Sequence, residues 1–171
     1  MSYIFVTGGA SSGKSRFALE RFKGLSKVAF IATGVSTDPE MEERIRNHRR
    51  ERPAGWDTIE EPLDLIGALA RVPRESEGVI IDCLTLWVSN LLYERSIGHG
   101  AVLSLAEETA GRLEGAAARA LVVTNELGFG VIPANEECRL FRKLAGEVNQ
   151  VFALKSAEAW LVVSGIGMRL K

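Results

Sequence analysis

The chain has 171 residues, of which 46% are hydrophobic and 25% charged, and it carries a formal net charge of −1. That describes one globular domain, long enough for a full core, with no global pull toward nucleic acid or an anionic membrane and no apolar stretch of spanning length. Cys83 and Cys138 stand far apart with no histidine nearby, which excludes a disulfide framework or zinc site and fits a cytoplasmic protein without a secretory leader.

Tyr3–Thr7 is a run of β-formers and reads as the first strand. It leads into Gly8-Gly9-Ala10-Ser11-Ser12-Gly13-Lys14-Ser15, which fits the phosphate-loop pattern G-x-x-x-x-G-K-[ST]. Ser15–Lys23 follows as a helix. Strand, glycine loop and helix form an anion site in which backbone N–H groups and the helix N-terminus face phosphate oxygens. Lys14 supplies charge for the β- and γ-phosphates, and the Ser15 hydroxyl suits Mg²⁺. The chain is therefore expected to bind a nucleoside triphosphate.

Lys27–Thr33 reads as the second strand and Pro39–Arg52 as a helix crowded with arginines. A charge run is usually a solvated face. Met41, Ile45 and His48, however, recur at i, i+4 and i+7, which places His48 on the apolar, inward stripe. Two readings of His48 stay open: a hydrogen-bonded core imidazole, or a nucleophile that attacks phosphorus while Arg49, Arg50 and Arg52 neutralise the developing charge. Thr58–Glu60 is a short strand. The Glu60 carboxylate could accept from the guanine N1–H and amino group, or could simply be exposed before Pro62.

After a helix over Leu63–Arg71, Gly78–Asp82 is a strand ending on an acid. Asp82 suits the second Mg²⁺-supporting carboxylate of a phosphate-loop enzyme, or the cap of the next helix, Leu84–Arg95. Gly98-His99-Gly100 reads as a loop, and His99 as structural. A helix over Val102–Ala118, a strand over Ala120–Thr124, a helix over Asn135–Leu154 and a strand over Ala159–Ser164 complete the chain. Between them, Thr124–Gly130 reads as a tight loop at the same sheet edge. Several strands, such as Val79-Ile80-Ile81 and Leu121-Val122-Val123, are apolar on consecutive residues, so both their faces are buried. The expected architecture is a single domain over 1–171: a three-layer α/β phosphate-loop fold with a mostly parallel central sheet and its ligand at the carboxyl ends of the strands.

The motifs, in order and over nearly the full length, resemble one family. They are Gly8-Gly9-Ala10-x-Ser12-Gly13-Lys14-Ser15, Ile31-Ala32-Thr33, Asp38-x-Glu40-Met41-x-x-Arg44-Ile45-x-x-His48, Arg52-Pro53-x-x-Trp56-x-Thr58, Glu60-x-Pro62, Asp82-Cys83-Leu84-Thr85-Leu86-Trp87-Val88-x-Asn90-Leu91-Leu92, Asn125-Glu126-x-Gly128-x-Gly130 and Val162-Val163-Ser164-Gly165-Ile166-Gly167. The family is that of the bifunctional adenosylcobinamide kinase/adenosylcobinamide-phosphate guanylyltransferases. The resemblance implies phosphorylation of adenosylcobinamide with ATP or GTP. It then implies GMP transfer from GTP to that phosphate through a GMP–histidine intermediate on His48, giving adenosylcobinamide-GDP and pyrophosphate. It places nucleotide contacts on Gly8, Gly9, Ala10, Ser11, Ser12, Gly13, Lys14 and Ser15, on Ala32, Thr33 and Gly34, on Arg49, Arg50, Glu51 and Arg52, and on Glu60 and Asp82. It implies a homotrimer. Mg²⁺ is expected with the phosphate loop, with no bound organic cofactor, no nucleic acid and no membrane span. The Leu84–Leu92 helix and the Asn125–Gly130 loop are candidates for corrinoid contacts. Ser11 departs from the family, where many members have Arg, and this departure is expected to weaken phosphate binding or alter the nucleotide used in the kinase step. A plain small-molecule kinase, or a non-catalytic nucleotide switch, is the alternative; the absence of an N-K-x-D guanine signature counts against the switch.

Overall fold

Consecutive apolar residues in the strands are buried on alternate faces of one sheet. In the computed structural model, which describes residues 3–171, the strands are β1 (Ile4–Gly8), β2 (Val28–Ala32), β3 (Asp57–Glu60), β4 (Gly78–Asp82), β5 (Arg119–Val123), β6 (Glu158–Val163) and β7 (Ile166–Arg169). Their order across the sheet is β3-β2-β4-β5-β1-β6-β7. All neighbouring pairs are parallel except β6 and β7, which are antiparallel. The register aligns Ala32 with Glu60 and with Asp82, so the ends of β2, β3 and β4 fall at one level.

The helices are α1 (Lys14–Arg21), α2 (Pro39–Arg50), α3 (Leu65–Ala70), α4 (Leu84–Tyr93), α5 (His99–Glu114) and α6 (Glu136–Lys155). Tyr3, Phe5, Ile31, Val79, Ile81 and Val122 point to one face, where α3 to α6 cover them through Leu65, Trp87, Leu113, Val148 and Phe152. Ile4, Val6, Phe30, Ile80, Leu121 and Val162 point to the other, against Ala18 of α1, Phe22 just past its end, and Trp56. The period-2 alternation of each strand thus feeds two separate cores. Helix α2 joins neither core, since none of its residues is buried.

The three-layer parallel architecture agrees with expectation, with element ends displaced by a few residues. Three differences matter. Helix α2 stops at Arg50 instead of Arg52, which frees Arg52 to turn inward. Helix α5 begins at His99, so Gly98-His99-Gly100 is a helix start and not a loop; His99 pairs with Glu147 of α6. Strand β7 was not anticipated, because Ile166-Gly167-Met168-Arg169 is short, glycine-containing and largely exposed at the sheet edge.

Candidate active site

The phosphate loop is packed tightly at its glycines. A Cβ on Gly8 would stand 2.5 Å from the Val162 carbonyl oxygen and 2.7 Å from Ser12 Oγ. Gly13 has φ of +89°, the left-handed region that favours glycine, and delivers the chain into α1. The turn after β6 closes over the loop, with Gly165 N donating to Ser12 O at 2.8 Å. At the start of α1, Lys14 is only 6% exposed and its Nζ donates to Gly9 O at 2.9 Å. Burial lowers the Lys14 pKa below its ordinary value, and the Asp82 carboxylate partly restores it. Ser15 Oγ donates to Asp82 Oδ2 at 2.9 Å. Hydroxyl and carboxylate lie side by side at the ends of α1 and β4, an all-oxygen set suited to a hard cation that keeps waters and phosphate as its other ligands.

The peptide after Asp82 is held from β2. Thr33 Oγ1 donates to Cys83 O and accepts from Cys83 N, both at 2.8 Å. Thr33, one of the expected nucleotide contacts, is fully buried in this role, with its hydroxyl committed to the fold. Cys83 borders the site, but burial pushes its thiol up to about 12, which keeps it protonated and non-nucleophilic.

Helix α2 starts on Asp38, whose side chain accepts from Met41 N at 2.8 Å, with Pro39 in the first turn. It ends on His48, Arg49 and Arg50, and the two arginines are cations matched to the negative end of the helix dipole. Met41, Ile45 and His48 do share a face. That face is half-buried and looks into a cavity, not into the core.

Two cavities meet at His48. The smaller, of about 210 Å³, has apolar walls from Phe30, Ala32, Gly34, Ile45 and Leu86, with Arg49, Arg52, Glu60, Asp82 and Asn125 among its polar groups. The larger, of about 780 Å³, runs along Ser11–Arg16 and Gly165, with Glu43, Asn47 and Glu51 of the α2 region opposite. Lys14, Ser15, Arg44 and His48 line both. Arg52 sits 3.8 Å from the centroid of the Phe30 ring, with Nη1 donating to Thr58 Oγ1 at 3.0 Å and its buried Nε without a partner. Arg49 pairs with Glu60 at 3.3 Å at the mouth. The structure therefore gathers Ser11 to Ser15, Ala32, Gly34, His48, Arg49, Glu51, Arg52, Glu60 and Asp82 around one continuous space. Gly8, Gly9 and Ala10 contribute backbone to the loop outside the lining. Arg50, on the exposed side of α2, lines neither cavity.

Sequence reasoning left Arg44 without a role. Its position four residues before His48 on one helix was the available signal. The side chains of Phe30 and Leu86 carried no signal that separates a cavity wall from core.

Comparison with known proteins identifies the family. Residues 4–170 match the family model described as cobinamide kinase / cobinamide phosphate guanyltransferase. The chain is 37% identical to the bifunctional adenosylcobalamin biosynthesis protein CobU of Escherichia coli, over 98% of this chain and 99% of that protein. It is also 37% identical to the CobU protein of Salmonella typhimurium, over 98% and 99%. It is 40% identical to the bifunctional adenosylcobalamin biosynthesis protein CobP of Pseudomonas aeruginosa, over 97% and 95%. The chain belongs to the cobinamide kinase / cobinamide phosphate guanyltransferase family.

Proposed function

We propose that this member of the family carries out both reactions in the one continuous site, with His48 as the covalent nucleophile of the second. The observation that carries the reading is that His48 lines the phosphate groove and the apolar cavity at once. A GTP whose β- and γ-phosphates lie in the loop, and whose base lies toward Glu60, has its α-phosphorus at the junction where His48 stands.

In the kinase step, the corrinoid alcohol oxygen attacks the γ-phosphorus, the bond to the β–γ bridging oxygen breaks, and nucleoside diphosphate leaves. Lys14 and the N–H groups of the loop neutralise charge on the transferring group. In the second step, the His48 imidazole lone pair forms an N–P bond to the α-phosphorus. The α–β bridging bond breaks, and the loop holds the departing pyrophosphate. The corrinoid phosphate oxygen then attacks the same phosphorus, the N–P bond breaks and free imidazole returns. Arg44, Arg49 and Arg52 surround this phosphorus with positive charge. Glu60 is positioned to favour guanine over adenine in this step, while the kinase step takes ATP or GTP. Ser15 and Asp82 would hold Mg²⁺, which when bound shields phosphate charge.

The reading extends to a cytoplasmic homotrimer that uses no organic cofactor, binds no nucleic acid and has no membrane span. No helix among the described residues is long and apolar enough to cross a bilayer. The exposed apolar side chains Ile166, Met168 and Leu170 on and beside β7 support self-association, which light scattering in solution would measure.

The function is tested with α-labelled GTP and Mg²⁺, followed by denaturation. Acid-labile label on the wild type and none on His48→Ala is expected. No label, or equal label on both, overturns the covalent mechanism.

A further inference from the structure

We infer that the Asn125 side-chain amide orients the alcohol that accepts the γ-phosphoryl group, an inference that rests on the kinase reading above. Asn125 follows β5 and lines the smaller cavity with Lys14, Ser15 and Asp82. Its peptide is fixed by a closed hydrogen-bond ring. The Asn125 N–H donates to Thr85 Oγ1 at 2.8 Å, and Thr124 Oγ1 donates to Asn149 Oδ1 at 2.8 Å. Because the Thr124 proton is thereby used, Thr85 is the donor in its 3.1 Å contact with Thr124. Asn149 Nδ2 closes the ring by donating to the Asn125 carbonyl at 3.0 Å. Thr85, Thr124 and Asn149 are all buried, so three elements bury polar side chains to hold one residue still.

The side chain so held ends in Oδ1, which is buried and has no hydrogen-bond partner. A buried acceptor left unsatisfied is unfavourable, and a bound O–H or N–H donor would relieve it. The sheet order decides which donor. Strand β5 lies between β4, which carries Asp82, and β1, which leads into the phosphate loop. Glu60, at the base end, sits on β3, three strands from β5 and so about 14 Å away at roughly 4.8 Å per strand. Asn125 therefore stands nearer the phosphate loop than Glu60 does, on the strand between Asp82 and the loop. The donor available there is the acceptor hydroxyl of the corrinoid. Oδ1 accepts that hydrogen bond and turns an oxygen lone pair toward the γ-phosphorus. The amide is not a base; as the O–P bond forms, the proton passes through the phosphoryl oxygens to solvent.

The test uses the full chain and measures two things: kinase kinetics with the corrinoid alcohol and the nucleotide varied separately, and the rate of His48 labelling by α-labelled GTP, which needs no alcohol. Asn125→Ala is expected to lower kcat/KM for the alcohol by about tenfold or more, with nucleotide KM and His48 labelling within about twofold of wild type. Should alanine prevent folding, Asn125→Ser retains a small polar side chain and is expected to show the same split. Unchanged alcohol kinetics overturn the inference. So does a matched loss of labelling with raised nucleotide KM, which would assign Oδ1 to the nucleotide or its metal-bound water. A wild type that labels His48 but phosphorylates no corrinoid alcohol overturns the kinase reading itself, and this inference with it.

Discussion

The phosphate loop and helix α2 form opposite walls of the same groove and are held in opposite ways. The loop is locked by close backbone packing at Gly8, by the left-handed Gly13, by Gly165 from the β6–β7 turn and by a nearly buried Lys14. Helix α2 buries no residue. Its fixings are the Asp38 cap, with Pro39 in its first turn, and the exposed Arg49–Glu60 pair. The half that cradles a triphosphate is thus built before any ligand arrives. The half that carries His48, the nucleophile proposed above, has few contacts of its own, and bound phosphate, drawn to Arg44 and Arg49, would add the rest. On the proposed reading, the chemistry shared by both steps belongs to the locked wall, and the GMP transfer belongs to the sparsely held one.

Substitutions should follow that division. The largest effect is expected from Lys14→Met, which should lower both kinase turnover and His48 labelling by about 100-fold or more, since one cation serves both cleavages. The same variant should leave the ligand-free thermal midpoint equal or higher, because it removes a buried ammonium. A lower midpoint with retained activity would break the comparison. On the other wall, His48→Asn should abolish labelling yet keep kinase turnover within about threefold, read from product formation with each labelled phosphate. A matched loss of both would show that α2 is as shared as the loop.

Stability should divide in the same way. Gly8→Ala forces a Cβ against backbone and should cost about 2 kcal/mol in urea unfolding. Arg49→Ala on α2 should cost under about 0.5 kcal/mol, since its ion pair is solvent-exposed. The smallest effect is a pH dependence. Lys14 titrates below its ordinary 10.5 when folded, so between the two values the unfolded chain holds the extra proton. Ligand-free stability should therefore rise with pH across that window and be lost as pH falls through the folded value. The slope should flatten in Lys14→Met, as measured by denaturant midpoints against pH.

The division also marks what could be read in the sequence. The loop was legible because its function is local: eight consecutive residues carry glycines, cation and hydroxyl at fixed spacing. The parallel sheet was legible because strands such as Val79-Ile80-Ile81 are apolar on both faces. The Met41–Ile45–His48 stripe was visible as periodicity, but periodicity cannot distinguish a cavity from a core. The pattern could not show that α2 stands clear of both cores, nor that Arg50 points away while Arg52, just past the helix end, turns over Phe30. Thr33 lies in a family motif, and only the fold shows its hydroxyl spent on Cys83. The ring around Asn125 was beyond reach, because its members lie on α4, at the end of β5 and on α6, and no local pattern links them. Strand β7 and the start of α5 were missed for simpler reasons, namely glycines in short or terminal segments.

The central claim is that one phosphate cradle serves two cleavages and that His48 carries GMP between them. The direct measurement is a chase. Protein labelled from α-labelled GTP is freed of nucleotide and mixed with adenosylcobinamide phosphate. The account predicts that label leaves His48 and appears in adenosylcobinamide-GDP in equal amount. Label that stays on the protein while unlabelled product forms from fresh GTP would contradict it.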